Sequence, residues 1–372
     1  MDAEVKLSEN PRLLVVTTRR LGDVLLTTPL VRALKQGIPG ARIDILVFRG
    51  TEGILAGNPD IERIIAIPER PGAATMAMLI ARLWRRYDVA ISTQTGDRPT
   101  FLAAIAGRDS VGLVQKQTGW KPWLLSRGVV SNGDLHRVDE LFQLSAALGI
   151  SARPDIVVPR KSQQLTARAP YAVLHANPMF RIRRWTDEGW RGLAQALTER
   201  GLNVVVTGGP ALAEKEYLDH VWNSARPPVE RMDGSLDWGE LAQLLAGAAV
   251  YVGPDTSMTH LAAACGCPTV AIYGPASPHG MGPWPVGGLG ETWTRSVSIQ
   301  NRGNVWVVQN PLPCMPCDLL GCERNLQSYS ACLDELPVSQ VLKAVDRALA
   351  RTTVAPAMPT ITDSANVPLS PP

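Results

Sequence analysis

The stretch from Tyr251 to Ala264 is where the chain is best equipped for chemistry. An apolar run, Tyr251-Val252-Gly253-Pro254, leads into Asp255-Thr256-Ser257-Met258-Thr259-His260 and then into Leu261 and three alanines. A strand that turns into a helix at Asp255 or Thr256 leaves the N–H groups of Ser257 and Met258 ahead of the first helical hydrogen bond, at the positive end of the helix dipole. A phosphate suits that position. The alanine run keeps such a helix thin enough to lie close on a sheet, and a plain capped helix in an α/β domain is the competing reading. Earlier in the chain, Arg19-Arg20-Leu21-Gly22-Asp23-Val24 follows another apolar run. Gly22 permits close backbone approach there. Asp23 can act as a general base, drawing the proton from a sugar hydroxyl that attacks an activated anomeric carbon. Capping the following helix is the ordinary alternative for Asp23.

Between these two segments, His175-Ala176-Asn177-Pro178 leads to Arg181-Ile182-Arg183-Arg184-Trp185. Guanidinium groups hold phosphate oxygens in a fork and offset the charge of a departing diphosphate, so Arg183 and Arg184 are candidates for a phosphorylated ligand. Surface charge beside a helix start is their plainer role, and His175 and His260 read equally well as core histidines. Thr207-Gly208-Gly209-Pro210 is neither a GxGxxG nor a P-loop and says little about nucleotides. No GxSxG is present, which argues against a serine hydrolase of the α/β type. Cys314, Cys317, Cys322 and Cys332 form C-x2-C-x4-C-x9-C. That spacing suits one structural Zn or Fe ion better than persistent disulfides, with four reduced thiols as the alternative. Cys265 and Cys267 read as packing residues.

Positioning these groups calls for two alternating series. Apolar runs at 13–17, 43–48, 64–67 and 89–93 read as parallel strands of a doubly wound sheet, closed by a helix at 138–148. The helix after the first strand starts either at Gly22, kinked at Pro29, or at Thr28 with Pro29 as its first residue. Residues 151–170 lack sustained periodicity and read as a linker. A second series follows: strand 172–175, helix 187–200 capped by Thr186 and stopped at Gly201, strand 204–207, helices 212–222 and 238–246, and the strand–turn–helix described above. Two such halves form a cleft between their strand ends.

The composition is that of an ordinary globular chain, with 372 residues, 45% hydrophobic, 19% charged and a net charge of +3. No nucleic-acid partner is expected from this balance. No run of about 18 apolar residues occurs and Met1 to Lys6 lacks the core of a secretory signal, so a cytoplasmic protein is expected. Basic residues cluster at Arg82, Arg85 and Arg86 and at Arg181, Arg183 and Arg184, and Trp is frequent for a chain with few aromatics. Such clusters are usually solvated faces, but they also suit anionic ligands or a membrane surface.

Taken together, these segments resemble glycosyltransferase family 9, the bacterial heptosyltransferases of lipopolysaccharide core assembly. The resemblance rests on Arg20-Leu21-Gly22-Asp23-Val24 with Pro29, the His175 strand followed by basic residues and Trp185, Thr207 to Pro210, Asp255 to Ala264, and Ile272-Tyr273-Gly274-Pro275, in that order. It implies an α/β protein of GT-B fold, with two Rossmann-like doubly wound domains facing each other across a cleft. These would be an acceptor-binding domain at 11–150, a linker at 151–170, a nucleotide-sugar-binding domain at 171–351 and a disordered tail at 352–372. It also implies inverting, metal-independent transfer of heptose from ADP-L-glycero-D-manno-heptose to a lipopolysaccharide inner-core sugar, with no cofactor required for catalysis and at most a structural metal. The place of work would be the cytoplasm, with peripheral contact at the inner face of the inner membrane. Asp23 would be the base, Asp255 would touch the heptose, and Thr256, Ser257 and His260 would form the phosphate-binding turn. Arg183 takes the place of a family lysine, and Asn177-Pro178 replaces the small residues usual after the strand histidine. Two alternatives stay open: a protein (autotransporter) acceptor, and a non-catalytic nucleotide-sugar-binding protein in which Asp23 is turned away or salt-bridged. An NAD-dependent oxidoreductase is disfavoured, because no glycine-rich pyrophosphate turn follows the first strand.

Overall fold

A computed structural model of the chain describes residues 9–115, 119–131, 133–161 and 170–352. All but the first residue of the expected tail at 352–372 lies outside the described residues, as does 162–169 of the expected linker. The first half carries strands β1 (Arg12–Val16), β2 (Arg42–Phe48), β3 (Arg63–Ile67), β4 (Tyr87–Ser92), β5 (Gly107–Val114) and β6 (Arg127–Val130). Its helices are α1 (Leu21–Gly37), α2 (Ala73–Leu83), α3 (Asp97–Ala106), α4 (Trp120–Leu124) and α5 (Arg137–Ala146). The strands form one parallel sheet in the order β3-β2-β1-β4-β5-β6. Runs such as Leu13 to Val16 are buried on both faces because helices cover both sides. α1 and α5 pack on one face, and α2 and α3 on the other.

α1 runs from Leu21 through Pro29, so the earlier of the two expected starts is the one adopted. Proline at 29 has no N–H to give the carbonyl of Leu25. The Thr28 hydroxyl takes its place, donating to Leu25 O at 2.8 Å. The same oxygen accepts the Val157 N–H at 2.9 Å, which fastens the segment after α5 to α1. That segment, expected to be a bare linker, has no regular secondary structure from 151 to 161, yet Ile156 and Val157 are buried and Arg160 N–H bonds Ala56 O.

The second half carries β7 (Tyr171–Leu174), α6 (Asp187–Glu199), β8 (Asn203–Val206), α7 (Leu212–Trp222), β9 (Glu230–Arg231), α8 (Trp238–Ala246) and β10 (Val250–Pro254). It continues with α9 (Ser257–Ala264), β11 (Thr269–Ile272), α10 (Pro278–Met281), β12 (Ile299–Arg302), β13 (Val305–Val308), α11 (Ala331–Asp334) and α12 (Val338–Thr352). The sheet order is β12-β13-β11-β10-β7-β8-β9, parallel except for the β12–β13 pair. α6 begins as its sequence asks: the Thr186 side chain accepts the Gly189 N–H, and Gly201 beyond its end takes φ +79°. Residue 189 has to be glycine, because an added Cβ would lie 2.5 Å from the buried Trp185 ring. Trp185 in turn donates to Leu336 O at 2.9 Å and meets Trp190 edge-on at 5.2 Å.

Candidate active site

Each sheet presents its point of strand-order reversal, β1/β4 in the first half and β7/β10 in the second, and a helix starts beside each. α1 follows β1 and α9 follows β10, and the two helices pack against one another at their N-terminal ends. Gly22 lies at that contact: a Cβ there would be in ordinary van der Waals contact, 3.4 Å from His260 Cδ2 and 3.8 Å from Ser257 Cα, so the position has room for little beyond a methyl group. Crevices at the carboxyl ends of parallel strands, at such reversals, are where open α/β sheets bind ligands.

Asp23 stands one residue past this contact, in the first turn of α1, with its side chain 13% exposed. It makes no capping bond; the N-cap position is Arg20, which has no side-chain cap either. Burial raises its pKa above the ordinary carboxylate value, against the lowering pull of Arg19, Arg137 and Arg20. Arg19 comes only to 4.0 Å, the outer limit of an ion pair, and is itself largely exposed. Arg20 is drawn the other way, its guanidinium lying 4.6 Å over the Phe180 ring of the second half. The result is a carboxylate held in a basic field without a hydrogen-bonded partner among the described residues, which leaves its oxygens free to accept a proton.

On the facing side, Thr256 is the N-cap residue of α9 in position, but its side chain makes no capping bond. The first helical bond is His260 N–H to Thr256 O at 3.3 Å, so the N–H groups of Ser257, Met258 and Thr259 precede it. The turn is braced from beneath. Thr259 Oγ1 donates to Pro254 O and lies 3.0 Å from the Tyr251 hydroxyl. Asp255 is buried and pairs with Arg183, whose Nη1 lies 3.1 Å from Asp255 Oδ2 and donates to Asp255 O at 2.9 Å. Tyr273 donates to Asp255 Oδ1 at 3.3 Å. Burial pushes the Asp255 pKa up, opposed by Arg183 and Tyr273. Arg183 Nε and Nη2 have no protein partner among the described residues. His260 is buried, its pKa lowered to about 4 by burial and then by Arg183, and its Nδ1 is unpartnered, so it is neutral at pH 7.

Six expected site residues, His175, Arg184 and the four cysteines, have other surroundings. His175 Nδ1 lies 3.2 Å from Thr207 Oγ1 in a fully buried place, and burial lowers its pKa. Arg184 stacks 4.0 Å over Tyr217 and bonds Asn177 Oδ1 at 3.3 Å, beside a separate polar depression of about 270 Å³ lined by Arg181, Tyr217, Tyr329 and Asp334. The four cysteines depart from the expected tetrahedral shell: among the described residues no group of three or more His, Cys, Asp or Glu is close enough to hold a metal ion. Their sulfurs have other neighbours. Cys322 Sγ accepts the Ala331 N–H at 3.4 Å, Cys317 Sγ lies 4.0 Å from Pro275 O, and Cys332 is buried in the core. Cys332 nonetheless feels the other three. Its pKa is pushed up to about 12, first by burial and then by Cys317, Cys322 and Cys314.

Sequence reasoning passed over His136. It is the N-cap of α5, where its Nδ1 accepts the Val138 N–H at 3.2 Å, and its Nε2 therefore donates to Gly282 O of the second half at 2.8 Å. Burial brings its pKa down to about 3, which fixes the neutral ring. Only the long-range partner Gly282 distinguishes it from any other polar residue before a helix.

Two doubly wound halves with their strand ends and helix N-termini meeting at one seam define the GT-B architecture. A crystal structure of a family 9 glycosyltransferase from Veillonella parvula superimposes over 93% of this chain and 99% of its own, with TM-score 0.73 and 18% identity. An Escherichia coli heptosyltransferase with ADP superimposes over 91% and 99%, with TM-score 0.69 and 23% identity. Lipopolysaccharide heptosyltransferase 1 of Pseudomonas aeruginosa is 30% identical over 291 residues, 72% of this chain and 79% of that protein. Residues 76–288 match the family model described as glycosyltransferase family 9 (heptosyltransferase). The chain belongs to glycosyltransferase family 9 and is a glycosyltransferase.

Proposed function

We propose that this chain transfers heptose from ADP-L-glycero-D-manno-heptose to an inner-core sugar of lipopolysaccharide, in the cytoplasm and at the inner face of the inner membrane. The single observation that carries the reading is the seam itself: Asp23, a carboxylate with no hydrogen-bond partner among the described residues, in the first turn of the helix α1 that packs on the N-terminal end of α9. In this reading residues 11–150 bind the acceptor, 151–170 link, and 171–351 hold the nucleotide sugar. The diphosphate rests on the N-terminus of α9 at Thr256 and Ser257, with Arg183 supplying positive charge, and His175 and Asn177 lie at the adjacent strand end. Asp255 orients the heptose.

In the transfer, the acceptor hydroxyl oxygen forms a bond to the anomeric carbon from the face opposite the diphosphate. The anomeric carbon–oxygen bond to ADP breaks, ADP leaves with the bonding electrons, and Asp23 takes up the hydroxyl proton. Arg183 and the helix N–H groups stabilise the charge growing on the diphosphate, a task a metal ion performs elsewhere. Neutral His260 packs at the seam without adding charge. Configuration at the anomeric carbon inverts, because a single displacement takes place. A non-catalytic protein would leave Asp23 turned away or salt-bridged; Arg19 stands 4.0 Å from Asp23, so loss of turnover in Asp23→Asn with donor binding retained is the measurement that separates the two readings.

The four cysteines have the donor chemistry of a structural Zn or iron site and lie within one stretch of the chain, 314–332, so that one ion bound by them would staple the segment leading into α11. The test of the transferase reading is to incubate the purified chain with ADP-heptose and a heptose-deficient core acceptor and analyse the product by mass spectrometry. Addition of one heptose residue with release of ADP is expected. No product with this acceptor, and transfer to a protein acceptor instead, would move the reading to protein modification.

A further inference from the structure

Asp23 has to be ionised before it can take up a proton, and its surroundings work against that. Burial raises its pKa, while Arg19, Arg137 and Arg20, in that order, pull it down. The three cations differ in how firmly they are held. The Arg19 side chain is 56% exposed and comes only to 4.0 Å from Asp23, so water and salt screen it. Arg20 is exposed as well, and its guanidinium lies over Phe180 of the second half. Arg137 is the buried one, with its side chain 10% exposed. The histidines nearby add no charge, because burial lowers the pKa of His260 to about 4 and that of His136 to about 3. Arg183, across the seam, is paired with Asp255.

Arg137 is also fixed in place. Its Nη1 donates to Glu140 Oε2 at 2.6 Å, its Nη2 donates to Thr93 O, and its Nε is buried with no partner among the described residues. Glu140 is held in turn by the Ser131 hydroxyl. Thr93 follows β4 directly, and its N–H and hydroxyl both bond Val16 O at the end of β1. The guanidinium therefore lies at the β1/β4 reversal, the strand end from which α1 and Asp23 spring. Arg137 opens α5, which packs along α1, and the preceding residue, His136, is tied to Gly282 O of the second half. A buried guanidinium with an unpaired N–H is costly to keep. In return, a charge in a poorly solvated interior acts over distances at which an exposed charge is screened.

We propose that Arg137 is a positioning residue for the transfer, the fixed buried cation that holds Asp23 as its carboxylate, and that Glu140 sets how much of this charge Asp23 feels. Its consequence for turnover rests on the general-base reading of Asp23, which it deepens. The two partners of this one ion pair act on Asp23 with opposite signs. Neutralising Arg137 leaves burial less opposed, so Asp23 holds its proton to higher pH. Neutralising Glu140 unmasks Arg137, so Asp23 gives up its proton at lower pH. A pair that merely pinned α5 to the sheet would give both substitutions the same effect.

The test compares the full chain as wild type, Arg137→Gln, Arg137→Lys and Glu140→Gln, each checked by a melting curve. The Asp23 carboxyl is titrated by carbon NMR, its resonance assigned by its absence in Asp23→Asn, and the acidic limb of kcat/KM is measured beside it. Arg137→Gln is expected to move both midpoints up by about half a pH unit or more. Its loss of turnover should therefore widen on acidification and narrow as the pH rises. Arg137→Lys keeps the charge and should recover most of that shift, and Glu140→Gln should move both midpoints down. An Asp23 midpoint that stays put in Arg137→Gln, that moves as far in Arg137→Lys, or that moves the same way in Arg137→Gln and Glu140→Gln would overturn the proposal. Should Arg137→Gln fail to fold, Glu140→Gln decides: a lower midpoint upholds the proposal, and an unmoved or higher one overturns it. Carboxyl midpoints that shift as expected in a chain that transfers no heptose uphold the hold of Arg137 on Asp23 and sink the transferase reading instead.

Discussion

Asp23→Asn separates the two demands made on this residue. The substitution keeps shape and burial and removes the charge and the basic lone pair. Asp23 is 13% exposed, its only ion-pair approach is 4.0 Å from Arg19, and burial outweighs the three nearby arginines so that its pKa lies above the ordinary 3.8. The sign follows from linkage. A carboxyl whose pKa is raised by folding binds its proton more tightly in the folded state, so its ionised form works against folding at neutral pH. Asn should therefore leave the thermal midpoint unchanged or raise it by a few degrees, while turnover falls by about 10²- to 10⁴-fold, a barrier increase of roughly 2.7 to 5.4 kcal/mol. Because the base acts only as the acceptor hydroxyl reacts, donor affinity by calorimetry should stay within about twofold. In wild type, turnover should fall on acidification along a limb whose midpoint lies above 3.8. The decisive measurements are single-turnover rates, donor titration and a melting curve on the same preparation. Turnover within about threefold of wild type would refute the general-base role, given the effect expected of one. A marked loss of stability together with donor binding would instead make Asp23 a structural anchor for the arginines.

Arg183→Ala should weaken ADP-sugar by about 1.5 to 3 kcal/mol and leave adenosine nearly untouched, since the lost partner is the diphosphate; equal losses for both ligands by calorimetry would rule this out. Acidification should destabilise the fold through His260 and His136, whose pKa values fall from 6.5 to about 4 and about 3. The unfolded chain binds these protons below 6.5 and the folded chain does not, so the loss sets in below 6.5 and accumulates down to the folded values, reaching about 1.4 kcal/mol per histidine near pH 5.5. Urea titrations of wild type and His136→Gln should show the variant losing less between about pH 7.5 and pH 5.5, with His260 and the buried His175 still contributing, and identical losses would contradict it. Elemental analysis of protein purified without added metal should find about one equivalent of Zn or iron per chain; none, with Cys314, Cys317, Cys322 and Cys332 all reactive, would leave four reduced thiols.

Much of the fold was legible because its signals are local. α7 and α8 have the bounds their periodicity suggests, and the caps at Thr186 and the stop at Gly201 are where side-chain chemistry puts them. The start of α1 was ambiguous for a physical reason: proline at 29 either opens a helix or sits inside one, and the hydroxyl that rescues the Leu25 carbonyl matters only once the helix exists. The β12–β13 pair was not anticipated, since Gln300 and Asn301 break any apolar pattern in β12. In the site, the strand–turn–helix at 250–264 and the turn before Asp23 could be read directly. The pairing of Arg183 with Asp255, the brace from Tyr273 and the bond from His136 to Gly282 join residues 72, 18 and 146 positions apart, and no local pattern encodes such partners.

The packing of α1 on α9 also bears on how the chain can be divided. One continuous apolar cluster includes Leu25, Leu30 and Val138 from the first half and Tyr171, Val173, Tyr251 and Leu261 from the second, and Gly53 lies directly beneath Trp238. A cut between residues 161 and 170 would therefore open a hydrophobic wound on both pieces. Neither fragment should be soluble when produced alone, whereas co-production should let them reassemble. Genetic fusion or exchange of halves between relatives should succeed only when the α1 and α9 surfaces travel together, which makes this seam a unit of inheritance as well as a place for chemistry.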